Sequence, residues 1–176
     1  MTKKINIALD FEIDGLTNSI RNAISGDSFE TEVSRLKKTD LSQVSKKNKW
    51  LFDWKSELSD NSREISKLTT LNSPDIIHGL MSISLKTGYV YINLLESAPF
   101  NLGINKLYEG VAGNLVAYAC RISFQHGFDG YVSFTAKTRL ITHYQKTLGA
   151  SLYGTQTMII NTLAANKLID KYFKNR

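Results

Sequence analysis

The sequence predicts a single α/β domain spanning residues 1–176. Three observations lead there. Strand-like and helix-like patterns alternate through the second half of the chain. A clear antiparallel hairpin sits between the two prolines, Pro74 and Pro99. Between the elements there is no repeat, low-complexity tract or flexible linker that would divide 176 residues into two units.

The elements follow in order. Ile5 to Leu9 alternates like a strand, and Leu16, Ile20 and Ile24 are spaced four apart, which predicts a short helix ended by Gly26. Phe29–Val33, Trp50–Trp54 and Ile65–Leu71 are β-rich. Ile76–Leu85 and Tyr89–Leu95 read as paired strands joined through Lys86-Thr87-Gly88. An irregular loop, Phe100–Tyr108, leads to Gly110-Val-Ala-Gly-Asn-Leu and a helix that stops at Gly127. Tyr131–Phe134 is then a strand, Thr138–Leu148 a helix capped by Gly149, Leu152–Ile160 a strand and Leu163–Phe173 a closing helix.

Composition narrows the class. With 42% hydrophobic and 22% charged residues the chain is globular, neither disordered nor fibrous. No apolar run approaches the ~20 residues of a membrane helix. The start, Met1 to Asp10, lacks a signal-peptide core because Asn6 and Asp10 interrupt it, so a cytoplasmic protein is expected. The single cysteine, Cys120, permits no internal disulfide and no cysteine metal cluster, and its small, apolar neighbours read as helix core. His78, His126 and His143 lack metal-ligand spacing, so no metal is expected. The net charge of +6 comes largely from Lys37, Lys38, Lys46, Lys47 and Lys49 and from the C-terminal Lys167, Lys171, Lys174 and Arg176. Solvated faces account for both groups.

The Rossmann glycine fingerprint, the P-loop and the Gly-x-Ser-x-Gly elbow are all absent. What remains is the strand–loop–helix junction between Tyr91 and Ser123. Small residues at Gly110-Val-Ala-Gly let backbone N–H groups approach a ligand, and a helix N-terminus adds unpaired donors and positive potential. Such a junction suits a pyrophosphate, and it also suits close helix packing.

The order of strand Tyr89–Leu95, the Gly110-Val-Ala-Gly-Asn-Leu helix, strand Tyr131–Phe134 and a helix ending His143-Tyr144-Gln-Lys-Thr-Leu-Gly-Ala resembles the GNAT superfamily of acyl-CoA N-acyltransferases. Gly110-Val111-Ala112 fills the Gly-x-Gly/Ala part of that family's Gln/Arg-x-x-Gly-x-Gly/Ala signature, and His143-Tyr144…Gly149-Ala150 is similar to its later Phe-Tyr-x-x-x-Gly-Phe motif. The likeness covers residues 76–160, and the N-terminal third only by order of elements. Departures are visible: Leu107 stands at the Gln/Arg position with Lys106 just before it, Ala150 replaces an aromatic, and Lys137 replaces a frequent Asn. Tyr144 lies five residues before Gly149, where the family has four, and the crossing from Ser97 to Glu109 is long.

The resemblance implies a mixed, mostly antiparallel central sheet with helices on both faces, and acetyl-CoA as cosubstrate. It places the cofactor in a V-shaped split between the fourth and fifth strands. The pantetheine arm would run along Leu94, Leu95 and Glu96, and the pyrophosphate on Gly110, Val111, Ala112, Gly113 and Asn114, with Lys106, Tyr108 and Lys137 nearby. An amine then attacks the thioester directly, with Glu96 as candidate general base and Tyr144 as candidate acid for the thiolate. Glu96 can equally be a loop-capping carboxylate, and Tyr144 a core aromatic beside Ile141 and Leu148.

Trp50, Phe52 and Trp54 read as a core stripe, with Asp53 and Glu57 placed to attract a cationic amine. The acceptor amine stays unidentified, and a homodimer is compatible with the sequence. Two other functions compete: a non-catalytic GNAT-fold module binding CoA or a protein, and a small basic nucleic-acid-binding protein, for which no motif is present.

Overall fold

A computed structural model describes residues 7–173; Ile5 and Asn6 of the expected first strand, and Lys174 and Arg176 of the basic C-terminus, lie outside them. The expected α/β architecture is present. Its centre is the hairpin between the prolines, β5 (Gly79–Leu85) and β6 (Val90–Ser97). Both strands are buried along nearly their whole length, which explains why they read as continuous apolar runs. Gly88, at φ 86°, makes the turn that lets Lys86 N–H reach Tyr89 O at 2.9 Å.

Around this pair lies a seven-stranded sheet. Its other members are β3 (Thr31–Arg35), β4 (Glu64–Thr70), β8 (Val132–Thr135), β9 (Ser151–Tyr153) and β10 (Thr157–Ile160). The order is β3-β4-β5-β6-β8-β10-β9, and every neighbouring pair is antiparallel except β6 and β8. A second, small sheet joins β1 (Ile20–Asn22) to β2 (Ser28–Phe29) and to β7 (Tyr108–Glu109).

Helices cover both faces of the large sheet. The long α2 (Val111–Gln125) lies on the face where a Cβ at Gly79 would come within 2.7 Å of Val111 Cγ1. The opposite face meets α1 (Trp54–Ser59), where Ser82 Oγ donates to the Glu57 carboxylate at 2.8 Å. α4 (Thr162–Tyr172) packs on α2, and α3 (Ile141–Leu148) packs near β9 and β10. Gly79→Ala is expected to cost about 1–3 kcal/mol by overpacking against α2. Urea denaturation of the variant measures it.

Three local expectations are corrected. Leu16–Ile24 is not a helix: Ile20 is fully buried in β1, while Leu16 is 48% and Ile24 90% exposed. A four-residue spacing makes a helix only where its face finds a partner. Here Ser19 at φ 58° and Gly26 at φ 76° bend the chain, and Asn22 Oδ1 accepts from Ile24 and Ser25 N–H. Trp50–Trp54 is not a strand: Asp53 caps α1 by accepting Ser56 N–H at 3.0 Å, although Trp50 and Trp54 are core as expected. Leu152–Ile160 is not one strand but a hairpin, β9 and β10, folded at Gly154.

Candidate active site

The parallel neighbours β6 and β8 touch only briefly. They pair at Val90–Val132 and Tyr91–Ser133, and then separate as β6 runs on to Ser97 and β8 to Thr135. A bulge at Asn93 helps to turn β6 away: Ser82 pairs with Leu94 and Ile83 with Ile92, which leaves Asn93 unmatched. The Asn93 side chain settles against Ser84 Oγ at 2.9 Å. The result is a V-shaped split in the middle of the sheet, walled on one side by Leu94, Leu95 and Glu96.

The chain's own N-terminal segment lines the other wall. Leu9 N–H donates to Thr135 O at 2.7 Å and Lys137 N–H to Leu9 O at 2.9 Å, so the segment joins the end of β8 through a single parallel bridge, Leu9 to Ala136. Phe11 then packs, tilted, against both Phe134 and Tyr144, with ring centroids 5.4 and 4.9 Å away. Ile13 N–H donates to His143 Nε2 at 2.9 Å. A cavity of about 230 Å3 is left between this segment and β6, bounded by Asp10, Glu12, Asp14, Leu95, Ser97 and Lys106.

At the mouth of the split stands the N-terminus of α2. Gly110 has φ 91°, a region L side chains rarely adopt, and a Cβ there would overlap Thr17 Oγ1. Its N–H donates to Asp14 Oδ1 at 2.9 Å, while Lys106 Nζ meets Asp14 Oδ2 at 3.0 Å. The expected anion cradle therefore holds a carboxylate. Val111, Ala112 and Gly113 continue it as the buried first turn of α2, whereas Asn114, expected with them, donates its N–H to Gly110 O at 2.9 Å. Gly113 has a second reason to be small, because a Cβ would overlap the Tyr172 hydroxyl. Asn114 donates to Thr31 Oγ1 at 3.1 Å and leaves its buried Oδ1 unpartnered.

The other expected site residues are placed differently. Glu96 is 6% exposed and its carboxylate accepts from Leu51 N–H at 2.6 Å, Phe52 N–H at 3.2 Å and Trp54 Nε1–H at 2.9 Å. In this arrangement the carboxylate caps the loop, tying the end of β6 to the approach to α1, and it also lines the cavity beside β6. Tyr144 is fully buried, and its hydroxyl donates to Phe11 O at 2.6 Å. Burial, with Asp10 nearby, pushes the phenol far above its usual pKa, which makes it a weaker proton donor. Lys137 pairs with Asp10 at 2.8 Å at the rim. Tyr108 turns away from the split and packs edge-on against Phe29 and His78.

Asp14, Thr17, His143 and Tyr172 meet at the site without having been expected there. The signal for the segment was in the sequence: Leu9, Phe11 and Ile13 alternate with Asp10, Glu12 and Asp14, the period of an extended strand with one buried face. Burial pushes Cys120 up to about 12, in keeping with a core thiol and not a nucleophile. Among the described residues no cluster of His, Cys, Asp and Glu could hold a metal ion, and no helix is long and apolar enough to cross a membrane.

A split between the fourth and fifth strands of a seven-stranded sheet, closed by a helix N-terminus, decides the architecture. The chain has the GNAT fold. A chimera of the Vibrio cholerae spermidine N-acetyltransferase SpeG and hSSAT superposes with a TM-score of 0.55 at 15% identity, over 78% of this chain and 99% of that one. The V. cholerae spermidine N-acetyltransferase in complex with CoA and spermine gives 0.54 at 14% identity, over 78% and 98%. A dodecameric structure of the V. cholerae enzyme in an intermediate state gives 0.52 at 14%, over 76% and 94%. No family model matches the chain, and no curated protein does. At this identity the likeness establishes the fold, and the chemistry must be argued from the residues of this GNAT-fold chain itself.

Proposed function

We propose that this chain is a GNAT-type N-acetyltransferase that moves an acetyl group from acetyl-CoA to a primary amine. One observation carries the proposal: the helix N-terminus at the mouth of the split already binds a negative charge through Gly110 N–H and Lys106. A diphosphate offers the same donors the same kind of acceptor. The donor chemistry fits, while Asp14 and Thr17 occupy the space in front of it.

On this reading, Lys106, Gly110 and the first turn of α2, from Val111 to Gly113, hold the diphosphate, while the Asn114 N–H stays on Gly110 O. Leu94 and Leu95 give an apolar wall along β6, and Lys137 contributes positive charge at the rim. Bound acetyl-CoA supplies an activated thioester, which a neutral amine attacks. The protein's contribution is to orient that arm and exclude water from it. With Glu96 and Tyr144 committed to other bonds, neither is assigned the acid or base. Tyr144→Phe is accordingly expected to leave turnover within about twofold, and a loss above tenfold would return the hydroxyl to the chemistry.

The direct test is calorimetric titration with acetyl-CoA, followed by a panel of primary amines with detection of released thiol. Binding together with amine-dependent thiol release supports the transferase. The engagement of Glu96 and Tyr144 favours a second reading, a non-catalytic GNAT-fold module, which binding without release by any amine would support. The polyamine named for the V. cholerae enzyme, spermine, is a reasonable first member of the panel.

A further inference from the structure

The cradle is held shut by the chain itself. Asp14 occupies Gly110 N–H and Lys106, and the residues that follow are fastened to α4, near the other end of the sequence. Tyr172, at the end of α4, donates its hydroxyl to Gly15 O at 2.6 Å and accepts Ser19 N–H on its own carbonyl at 2.9 Å. Thr17 Oγ1 donates to Ser19 O at 2.8 Å, and Thr17 fills the space before Gly110. Ser19 keeps a left-handed backbone, φ 58°, that tertiary contacts impose against its local preference.

This stretch differs from the parts on either side. Leu9, Phe11 and Ile13 before it, and Ile20 after it, are buried in apolar surroundings. Between them Leu16 is half exposed, and Thr17 and Ser19, though buried, are attached by polar contacts and not by apolar side chains. A segment with few apolar contacts between two firm anchors opens at lower cost than its neighbours.

We infer that residues 14–19 are a built-in clasp in which the Asp14 carboxylate occupies the diphosphate site, so that a diphosphate-bearing ligand binds only by displacing it. The inference rests on the acetyl-CoA reading above. Asp14 and a diphosphate oxygen require the same Gly110 N–H and Lys106 ammonium, so the two exclude each other. The measured affinity is then the affinity of the open form reduced by the fraction open. Any change that loosens the clasp without touching the cradle tightens ligand binding.

Two variants separate this from simple charge repulsion. Asp14→Asn removes the competing charge. Tyr172→Phe removes the hydroxyl that holds Gly15 and lies against Gly113, with no change of charge. Acetyl-CoA titrations of the full chain are expected to show each variant binding about fivefold to tenfold tighter than the parent. Hydrogen exchange of the parent is expected to show residues 14–19 exchanging faster when acetyl-CoA is bound, and residues 110–114 exchanging more slowly. Circular dichroism melts confirm that the variants are folded. A tighter Asp14→Asn with an unchanged Tyr172→Phe, and no faster exchange at 14–19, would overturn the clasp and leave the acetyl-CoA site standing. If acetyl-CoA at millimolar concentration binds neither the parent nor either variant, the acetyl-CoA reading itself fails, and the clasp with it.

Discussion

Replacing Glu96 by Ala is expected to destabilise the protein by about 3–5 kcal/mol. One carboxylate accepts three donors here, from Leu51, Phe52 and the Trp54 indole. Its removal orphans those donors together and opens a void beneath Trp54, which is 1% exposed. Glu96→Gln keeps the volume and part of the accepting capacity, so it is expected to fall between the parent and Glu96→Ala. Urea denaturation of the three proteins orders them. Equal midpoints for parent and Glu96→Ala would show that the clasped loop contributes nothing, and would free Glu96 for chemistry.

Acidification is expected to weaken the fold through His78. Its ring is 3% exposed, packed edge-on against Phe100 and Tyr108, and burial lowers its pKa to about 4. The unfolded chain takes up a proton near pH 6.5 that the folded chain refuses until about pH 4. Stability therefore falls as pH drops through that window, by about 3 kcal/mol in all, and is fully restored above it. Within the fold, Asn101 Nδ2 lies 3.1 Å from His78 Nδ1, which fits a neutral ring accepting there. His78→Phe, compared with the parent by urea unfolding at pH 7 and pH 4.5, isolates the effect. The variant should show a shallower dependence on pH, and parallel curves would exclude His78 as the source.

Much of the second half of the chain was legible because each element there carries a local cause. β5 and β6 are long enough and apolar enough to read as strands, and Gly88 marks their turn. Gly149, at φ 67°, closes α3 as its position after Leu148 implied. The first third was harder to read for an equally local reason. Its elements are short, and which side chains of Leu16–Ile24 are buried depends partly on β7, which is distant in the sequence.

The site divides along the same line. The sequence by itself showed glycines at the opening of α2, Gly110 and Gly113, and the left-handed backbone of Gly110 is a local reason for the first of them. It also determined the two candidate roles of Glu96, but not the choice between them. That choice came from the loop at 51–54 folding back over β6. Only the tertiary structure decided that the anion at Gly110 N–H is Asp14, and that Tyr144 serves Phe11. The partners in those contacts lie 96 and 133 positions apart. Local periodicity carries no information about which distant carboxylate or carbonyl fills a donor's open valence, because that pairing is set by how the sheet splits and where the N-terminal segment is threaded through it.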